Sequence, residues 1–462
     1  MKRVWLTWLV VWLMAATLPA AAAVTFADLA ANVASTGIST DGSAIALNSV
    51  PAGTAYIWTK TNGLVSIGSG STAGVGTRFG TIVVGGNVGG NAYRWDGDAT
   101  GAGAWTQLPL EGINSWTALC TGVSAGDVWI GGFSGDTTGF KQCCRYSESR
   151  NSTAGLSLPL GGGNNDSYLY GASDNGLFAG QFQFGAVAPS GSRQAMCGLF
   201  NDPMNPNNPN NNRMIYLNNL LGEPSYSTEA SARAISRDGA RIGGWSQYHE
   251  TPDGFRQAVW WTFGLAHGAK PIPFMGADNY AETQALNSNG TICAGYSAYW
   301  GGPGTSLTNR RCWIWDATNG TRDLMDILTD AGIDMTGWTL TNVTGMSGNA
   351  TVITGNGTKD DVAHAWLITM TKPLVGINNK AAWDAIMANG RLTFEFVIWG
   401  RVLEDQWSFD SFVLDDGSGA PIQVNAPGHN VLPGQYARAK GRLSTYTGVP
   451  IMLSTAEDVW YY

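Results

Sequence analysis

The run Ala234-Ile-Ser-Arg-Asp-Gly239, continued by Arg241-Ile-Gly-Gly244 and then by Ala258-Val-Trp-Trp261, is the fullest copy of a pattern that returns seven times between Gly37 and Leu367. A Gly-containing or small-residue turn leads into a short apolar run that ends in Gly or Ala. The turns and first runs stand at Thr40–Ala46, Phe79–Gly85, Ala125–Gly131, Asn175–Gly180, Asp238–Gly243, Asn289–Gly295 and Gly348–Gly355. Asp-Gly and Asn-Gly pairs supply the positive φ of a hairpin turn, so each copy reads as a turn feeding a strand. A second run then carries a small residue three positions before an aromatic: Ala55 and Trp58, Ala92 and Trp95, Cys143 and Tyr146, Cys197 and Phe200, Ala258 and Trp261, Cys312 and Trp315, Ala363 and Trp366. A unit this short cannot bury its own apolar face. The copies must pack on one another, and seven of them close a ring. The expected fold is all-β, a seven-bladed β-propeller.

Most copies finish with an outer run such as Leu64–Ile67 or Trp105–Leu108, but the seventh passes from Ile368 directly to Thr371-Lys-Pro373. The segment Val24–Leu29 belongs to no copy. It is expected to lend the last blade its outermost strand, which removes an exposed edge and ties the two ends together.

The chain has 462 residues, too many for one ordinary core, so a second domain is expected. Lys2 and Arg3, the apolar stretch Val4–Met14, Pro19 and Ala20–Ala23 follow the order of a secretory signal with cleavage after Ala23. Its apolar core is shorter than the ~20 residues of a membrane span, and no later segment is long enough. The expected division is a signal peptide at 1–23, the propeller at 24–371, a linker with a short helix at 372–390 and a small barrel at 391–462. The location this implies is secreted, extracellular or periplasmic. Charged residues make up 13% of the chain and the net charge is −8, with no Lys/Arg stripe in the repeats, so a nucleic-acid partner is not expected. The many tryptophans fall mostly at repeat positions and are read as packing residues.

The combination Ile-Ser-x-Asp-Gly, a Gly-ending strand and Ala-x-x-Trp, together with Leu324–Leu328, Gly332–Trp338 and Ala365-Trp366, resembles the bacterial extracellular HAF repeats. The third and fourth copies are degenerate. The resemblance implies a secreted or surface-exposed propeller and carries no catalytic residue with it.

Beyond Pro373 the rhythm changes. Ala381–Met387 reads as a short helix; Leu392, Phe394, Phe396 and Ile398 alternate as a strand that continues through Val402, followed by Phe409–Leu414, Ile422–Val424, Tyr436–Leu443 and Ile451–Ser454. With Trp399-Gly-Arg-Val402, Asp415–Gly419, Gly434–Gly441 and Ala456–Val459, this order resembles the OB-fold barrels appended to bacterial secreted proteins. Such barrels bind oligonucleotides or oligosaccharides through aromatic and basic residues. The candidate ligand-binding residues are therefore Trp399, Arg401, Tyr436, Arg438, Lys440 and Arg442. Alternation puts Tyr436, Arg438, Lys440 and Arg442 on one face, which reads either as a basic ridge or as the solvated exterior of a small barrel.

Cys143, Cys197 and Cys312 occupy the small-residue slot and are read as fillers of a tight site. Export also permits pairing. Cys293 with Cys312 is a candidate disulfide in the sixth blade, and Cys120 with Cys143 or Cys144 another in the third. No C-x-x-C pair exists and His249, His267, His364 and His429 are scattered, so neither a metal nor a cofactor is expected. The Asn201–Asn212 segment with Pro203, Pro206 and Pro209, together with Ser246–Phe255 and Trp300–Arg311, is expected to form long surface loops, which read first as simple loop drift and second as a binding rim, since long loops on one rim of a propeller are where binding is commonly found. Asp41 and Asp238 are turn formers, and His429 sits on a loop with no identifiable partner. The leading reading is a non-catalytic binding or structural protein that recognises an extracellular glycan or a surface protein. The alternative is a polysaccharide-active hydrolase or lyase with the barrel as an accessory module, which would require two carboxylates about 5 to 10 Å apart in a central pocket.

Overall fold

The computed structural model describes residues 24–78, 80–109, 115–123, 128–135, 141–148, 151–155, 166–183, 193–199, 213–221, 229–248, 255–263, 268–302, 305–370, 375–376, 379–389, 395–446 and 449–461. The expected signal peptide at 1–23 and the Asn201–Asn212 segment lie outside the described residues. Val24–Met370 forms one compact unit, and Thr371–Tyr462 belongs to another.

The Ser-x-Asp-Gly signature folds into a turn built around a buried hydroxyl. Ser236 is fully buried; its Oγ donates to Asp238 Oδ1 at 2.6 Å and accepts from the Arg241 N–H at 2.9 Å. Its own N–H donates to Arg241 O at 2.7 Å, and the Gly239 N–H returns to Ser236 O at 2.9 Å. A hydroxyl has one proton to give, and here it goes to the aspartate while a lone pair holds the next strand. The same knot recurs at Ser39, Ser173 and Ser347, and at Asn287 the amide oxygen takes the serine's place toward Ile292 N at 3.0 Å. Gly239 sits at φ +73, as this turn requires.

Each turn connects an inner strand to the second strand of a four-stranded antiparallel sheet. In the fullest copy the order is Ala230–Ile235, Arg241–Gln247, Arg256–Thr262, Lys270–Pro271. The inner strand is bulged: Ala232 pairs with Gly244 and Ala234 with Gly243, leaving Arg233 without a cross-strand partner. The register skips the corresponding residue in the other inner strands too, at Thr36, Ala73, Leu119, Tyr170, Gln284 and Thr344. The bulge pushes a carbonyl at the neighbouring strand, so a Cβ on Gly244 would meet Ser231 O at 2.0 Å. That contact explains the second glycine of Arg241-Ile-Gly-Gly244.

The inner strands are Val33–Ile38, the second half of Gly63–Arg78, Ser115–Val123, Asp166–Ala172, Ala230–Ile235, Tyr280–Leu286 and Trp338–Met346. They touch one another in chain order, and Val33–Ile38 also touches Trp338–Met346, which closes the circle. This unit is a β-propeller. A small residue after each bulge lets neighbouring sheets approach: a Cβ on Gly37 would lie 3.3 Å from Gly74 Cα. The turns are also stitched to one another by backbone hydrogen bonds, with Asp174 N donating to Arg237 O at 3.0 Å, Asp238 N to Ser288 O at 3.1 Å, Ser288 N to Gly348 O at 2.9 Å and Gly348 N to Thr40 O at 2.6 Å.

The otherwise unassigned N-terminal segment, Val24–Ala31, pairs antiparallel with Val362–Met370, from Val24 opposite Met370 to Ala31 opposite His364. Asp28 Oδ1 lies 2.7 Å from His364 Nδ1, and Phe26 meets Trp338 edge-on at 4.8 Å. Trp95, Trp245, Trp261, Trp313 and Trp366 are fully buried, as packing residues should be.

Two sequence alignments need correction. Ala258 lies opposite Trp245, the residue after the bulge glycine; the equivalent residues are Ala195 opposite Gln181 in the fourth copy and Ala365 opposite Asn356 in the seventh. Cys197 and Ala363 are therefore two positions from the small-residue slot. A slip of two preserves the face a side chain points to, so the sequence pattern alone does not detect it. The expected rim of long loops also divides. Gln247 ends a second strand and Leu199 a third, so in antiparallel sheets the connections that follow them leave from opposite ends. Trp300 pairs with Leu307 and Tyr299 with Thr308, which makes much of Trp300–Arg311 strand.

In the second unit, Glu395–Trp407 pairs with Ser411–Asp415, that strand with Ile422–Asn425, and Ile422–Asn425 runs parallel to Val449–Leu453. Val449–Leu453 pairs with Tyr436–Tyr446, which returns to Glu395–Trp407 and closes a five-stranded barrel in the order 1-2-3-5-4. Ile398, Phe412, Leu414, Ile422, Leu443 and Met452 fill it. The segment read as a linker contributes to this body: in helix Asn379–Asn389 the Asn379 amide donates to Leu414 O at 2.8 Å, and Ala382 is buried in the barrel core.

Substituting Gly244→Ala is expected to lower unfolding stability by about 3 kcal/mol or more, because backbone must move. Gly268→Ala, where a Cβ meets nothing within 4 Å, is the control and should stay within ~0.5 kcal/mol by denaturant titration. Burial alone would raise the pKa of Asp41, but hydrogen bonds from Ser39 Oγ, Ser43 N, Thr77 Oγ1 and Ser43 Oγ outweigh it and hold the carboxyl below its usual range. A depressed carboxylate stabilises the fold above its unfolded pKa and loses that effect on acidification. The destabilisation caused by Asp41→Ala should therefore be full at neutral pH and shrink below about pH 4.

Candidate functional site

The proposed barrel residues lie on two neighbouring strands. Trp399 pairs with Arg438, Arg401 with Tyr436 and Val397 with Lys440. Ala437, Ala439, Gly441 and Leu443 are buried between the exposed Tyr436, Arg438 and Arg442 and the half-buried Lys440, so the alternation read from sequence holds. Trp399 is 46% exposed and Tyr436 63%, far more than packing tryptophans elsewhere in the chain.

One member of this face escaped the sequence reading. The terminal strand Val459–Tyr461 adds to Tyr436–Tyr446 and places Trp460, 36% exposed, opposite Arg438. The Arg438 guanidinium stacks on the Trp460 ring at 4.5 Å. A row Trp399, Arg438, Trp460 thus crosses three strands, spanning about 10 Å. The only signal in the sequence was the run of three aromatics Trp460-Tyr461-Tyr462. The flanking cations are partly occupied: Lys440 Nζ pairs with Asp458 at 2.9 Å and Arg401 Nη2 with Glu404 at 3.4 Å. The face lies on the first and fourth barrel strands, whereas OB folds commonly bind across strands two and three.

The propeller has its own opening on the ring axis. A cavity of ≈130 Å³ is bounded by Ile38, Ile235, Leu286 and Met346 and by Asp174, Arg237 and Ser288. It shares Asp174, Arg237 and Ser288 with a second cavity of ≈390 Å³. The residues that line it are the variable x of the Ser-x-Asp-Gly turn, which sequence reasoning passed over in favour of the constant aspartates. Asp174 pairs with Arg237 of the adjacent sheet. Burial raises the Asp174 pKa above the usual carboxylate range, and Arg237 only partly offsets it. Asp238 Oδ1 is held by Ser236 Oγ at 2.6 Å and Ala240 N at 2.9 Å. Among the described residues of this opening, Asp174 and Asp238 both have partners, and both line the larger cavity.

His429 does have partners, contrary to the sequence reading. Its Nδ1 accepts from the Val431 N–H at 3.3 Å, which leaves the proton on Nε2 to donate to Ser408 O at 2.9 Å. It braces a loop against Phe412 at 4.7 Å. The candidate disulfides do not form. Cys293 lies opposite Trp315 and Cys312 opposite Tyr296, an offset of three that turns the two thiols to opposite faces and into separate clusters. Cys120 is separated from Cys143 and Cys144 by the strand Val128–Gly135, two strand spacings or about 10 Å, beyond disulfide reach. Cys143, Cys197, Cys293 and Cys312 are free and buried, and Cys144 is buried. Among the described residues no group of three or more His, Cys, Asp or Glu is placed to hold a metal, and no helix is long and apolar enough to cross a membrane.

No protein-family model and no curated protein matches the sequence. Solved structures of similar fold include TolB from Acinetobacter baumannii, at 12% identity over 64% of each chain with a TM-score of 0.36. Others are a putative TolB from Agrobacterium tumefaciens, at 12% identity over 57% of this chain and 85% of that one with a TM-score of 0.38, and YCF48 bound to D1 peptide, at 11% over 76% and 97% with 0.42. These are β-propeller proteins. The match spans less than two thirds of the Acinetobacter TolB chain.

Burial pushes the thiols of Cys143, Cys197 and Cys293 up to about 12, the largest cause in each case being loss of solvation. An aromatic disulfide reagent at pH 8 should therefore leave these three unmodified in the native protein and modify them on unfolding, as read by mass spectrometry of the labelled peptides.

Proposed function

We propose that this chain is an exported, non-catalytic binding protein: a ring of seven four-stranded blades sealed by Val24–Ala31, carrying an OB-like barrel that docks an acidic extracellular glycan. The observation that carries the reading is the row Trp399, Arg438, Trp460 with the neighbouring Tyr436, exposed on one exterior face of the barrel. The exposed parts of these three large aromatics gain nothing for folding, and exposed ring faces suit the C–H faces of sugar rings. Arg438, Arg401 and Arg442 add cationic groups on a chain of net charge −8, which favours carboxylate- or sulfate-bearing sugars over neutral ones. The occupied carboxylates at the propeller axis support a binding role over a hydrolytic one. Export rests on the order of residues in the leader, and the likeness to HAF repeats on the motif residues alone.

Isothermal titration of the full chain with uronate-containing oligosaccharides tests this. Binding should weaken roughly tenfold or more in Trp399→Ala and in Arg438→Gln, and a neutral glucan of equal length should bind less tightly. Equal affinity for the two glycans, a preference for single-stranded nucleic acid, or indifference to both substitutions would reject the proposal.

A further inference from the structure

Further along the inner strands, away from the Ser-x-Asp-Gly turns, side chains of the ring still reach solvent. Ala34, Thr36, Ser71 and Ala73 are half-buried, whereas Ser35 and Thr72, which separate them in sequence, are buried. At the same two levels Tyr168 and Tyr170 on the fourth inner strand, Arg233 on the fifth and Gln284 on the sixth are half-buried as well, and larger. None of these residues lines either cavity at the turn end. The Arg233 guanidinium lies 4.4 Å over the Tyr170 ring. Its side chain is 21% exposed, and the nearest carboxylate oxygen among the described residues, Glu282 Oε2, is 3.9 Å from Nε, too far for a hydrogen bond. Among the described residues Arg233 donates no hydrogen bond, and its buried Nε has no acceptor. Glu282 is committed to other donors: Oε1 accepts from Arg256 Nη1 at 2.7 Å and Tyr280 Oη at 3.0 Å, and Oε2 from Gln284 Nε2 at 2.8 Å. Glu229 acts on Arg256 too, and Asp166 Oδ2 accepts from Tyr168 Oη at 3.0 Å. Two amide oxygens on the next strands lack donors among the described residues: Gln284 Oε1, and Asn342 Oδ1, which is buried. Asn342 holds on the seventh inner strand the place of Glu282 on the sixth, each opposite the residue that follows the bulge glycine.

We propose that this part of the channel binds a monosaccharide bearing a carboxylate, of the hexuronate class, whose carboxylate pairs with Arg233 and whose hydroxyls donate to Gln284 Oε1 and Asn342 Oδ1. A guanidinium held flat by a ring offers its edge as a fork, and a planar carboxylate meets it with two parallel hydrogen bonds. The two amide oxygens need donors. A simple carboxylate brings none, whereas the hydroxyls of a sugar supply several. A neutral sugar would satisfy the amides and leave the guanidinium without an anionic acceptor. The end of a peptide carries one N–H beside its carboxylate, too few for both oxygens. Small residues at Ala34, Thr36, Ser71 and Ala73 keep the first two inner strands from filling the lumen. The site stands on propeller residues alone and does not rest on the barrel face.

Because the barrel is read as binding the same class of sugar, the test uses the full chain carrying Trp399→Ala and Arg438→Gln. It is titrated calorimetrically with D-glucuronate, D-galacturonate, D-glucose, acetate and N-acetyl-Ala-Ala. At least one uronate should bind saturably with a Kd at or below about 1 mM, and glucose, acetate and the peptide should bind about tenfold or more weaker. Adding Arg233→Gln should reduce the uronate to the level of glucose, and adding Gln284→Met should bring it toward acetate, with thermal melts showing that both variants remain folded. No saturable heat with either uronate would overturn the proposal. So would a preference for the peptide, equal binding of all five compounds, or uronate affinity unchanged by Arg233→Gln in a folded chain. Oligosaccharide binding by the chain with an intact barrel is read separately, so the two sites can fail independently.

Discussion

A serine hydroxyl sealed from water at the tips of four inner strands, at Ser39, Ser173, Ser236 and Ser347, with the Asn287 amide in its place at a fifth, is the constraint on which the propeller unit depends. It satisfies the aspartate or asparagine two residues on and the backbone of the following strand together, so removing it would strand several polar groups at once. Because the turn is fixed, the next residue along the chain is held at a constant height on the axis. The glycine opposite the bulge fixes the other end of the same short ladder. Between these two points a strand of about six residues has no freedom to slide, and each sheet presents the same edge to its neighbour.

That rigidity separates constant from variable positions. In these five turns the Ser or Asn, the Asp or Asn two residues on and the Gly or Ala after it build the scaffold, whereas the residue between the first two is Thr40, Asp174, Arg237, Ser288 or Gly348 and lines the axial cavity. The scaffold supplies position and the intervening residue supplies chemistry. The same division holds on the barrel, where Ala437, Ala439 and Gly441 are small because the interior is crowded, and the residues between them are free to carry charge and rings.

Much of the fold was legible because period and turn chemistry are local. Asp238-Gly239 announces its hairpin, Gly243-Gly244 announces a close backbone approach, and a missing outer run beside an unassigned Val24–Leu29 announces the seal. What stayed hidden depends on register. Cys197 for Ala195 and Ala363 for Ala365 are errors of two residues on the correct face, and the Cys293 and Cys312 pairing failed on an offset of three that no spacing rule contains. Of the candidate site, Trp399, Tyr436 and Arg438 were visible as alternation on a strand. Trp460 was not, because its place beside Arg438 is set by a terminal strand that folds back from outside the pattern. Asp174 and Arg237 were invisible for a related reason: 63 residues separate them, and only the stacking of sheets makes them neighbours.

The seal also sets a schedule. Asp28 and His364 are 336 residues apart, so Val24–Ala31 has no partner until the last sheet of the propeller has been made. Throughout synthesis, and again after any passage across a membrane in extended form, Val24–Ala31 is a loose β-edge seeking a mate. A chain halted before residue 362 would carry that edge permanently, exposed to proteases and to other copies in the same condition, whereas a finished one hides it within the circle.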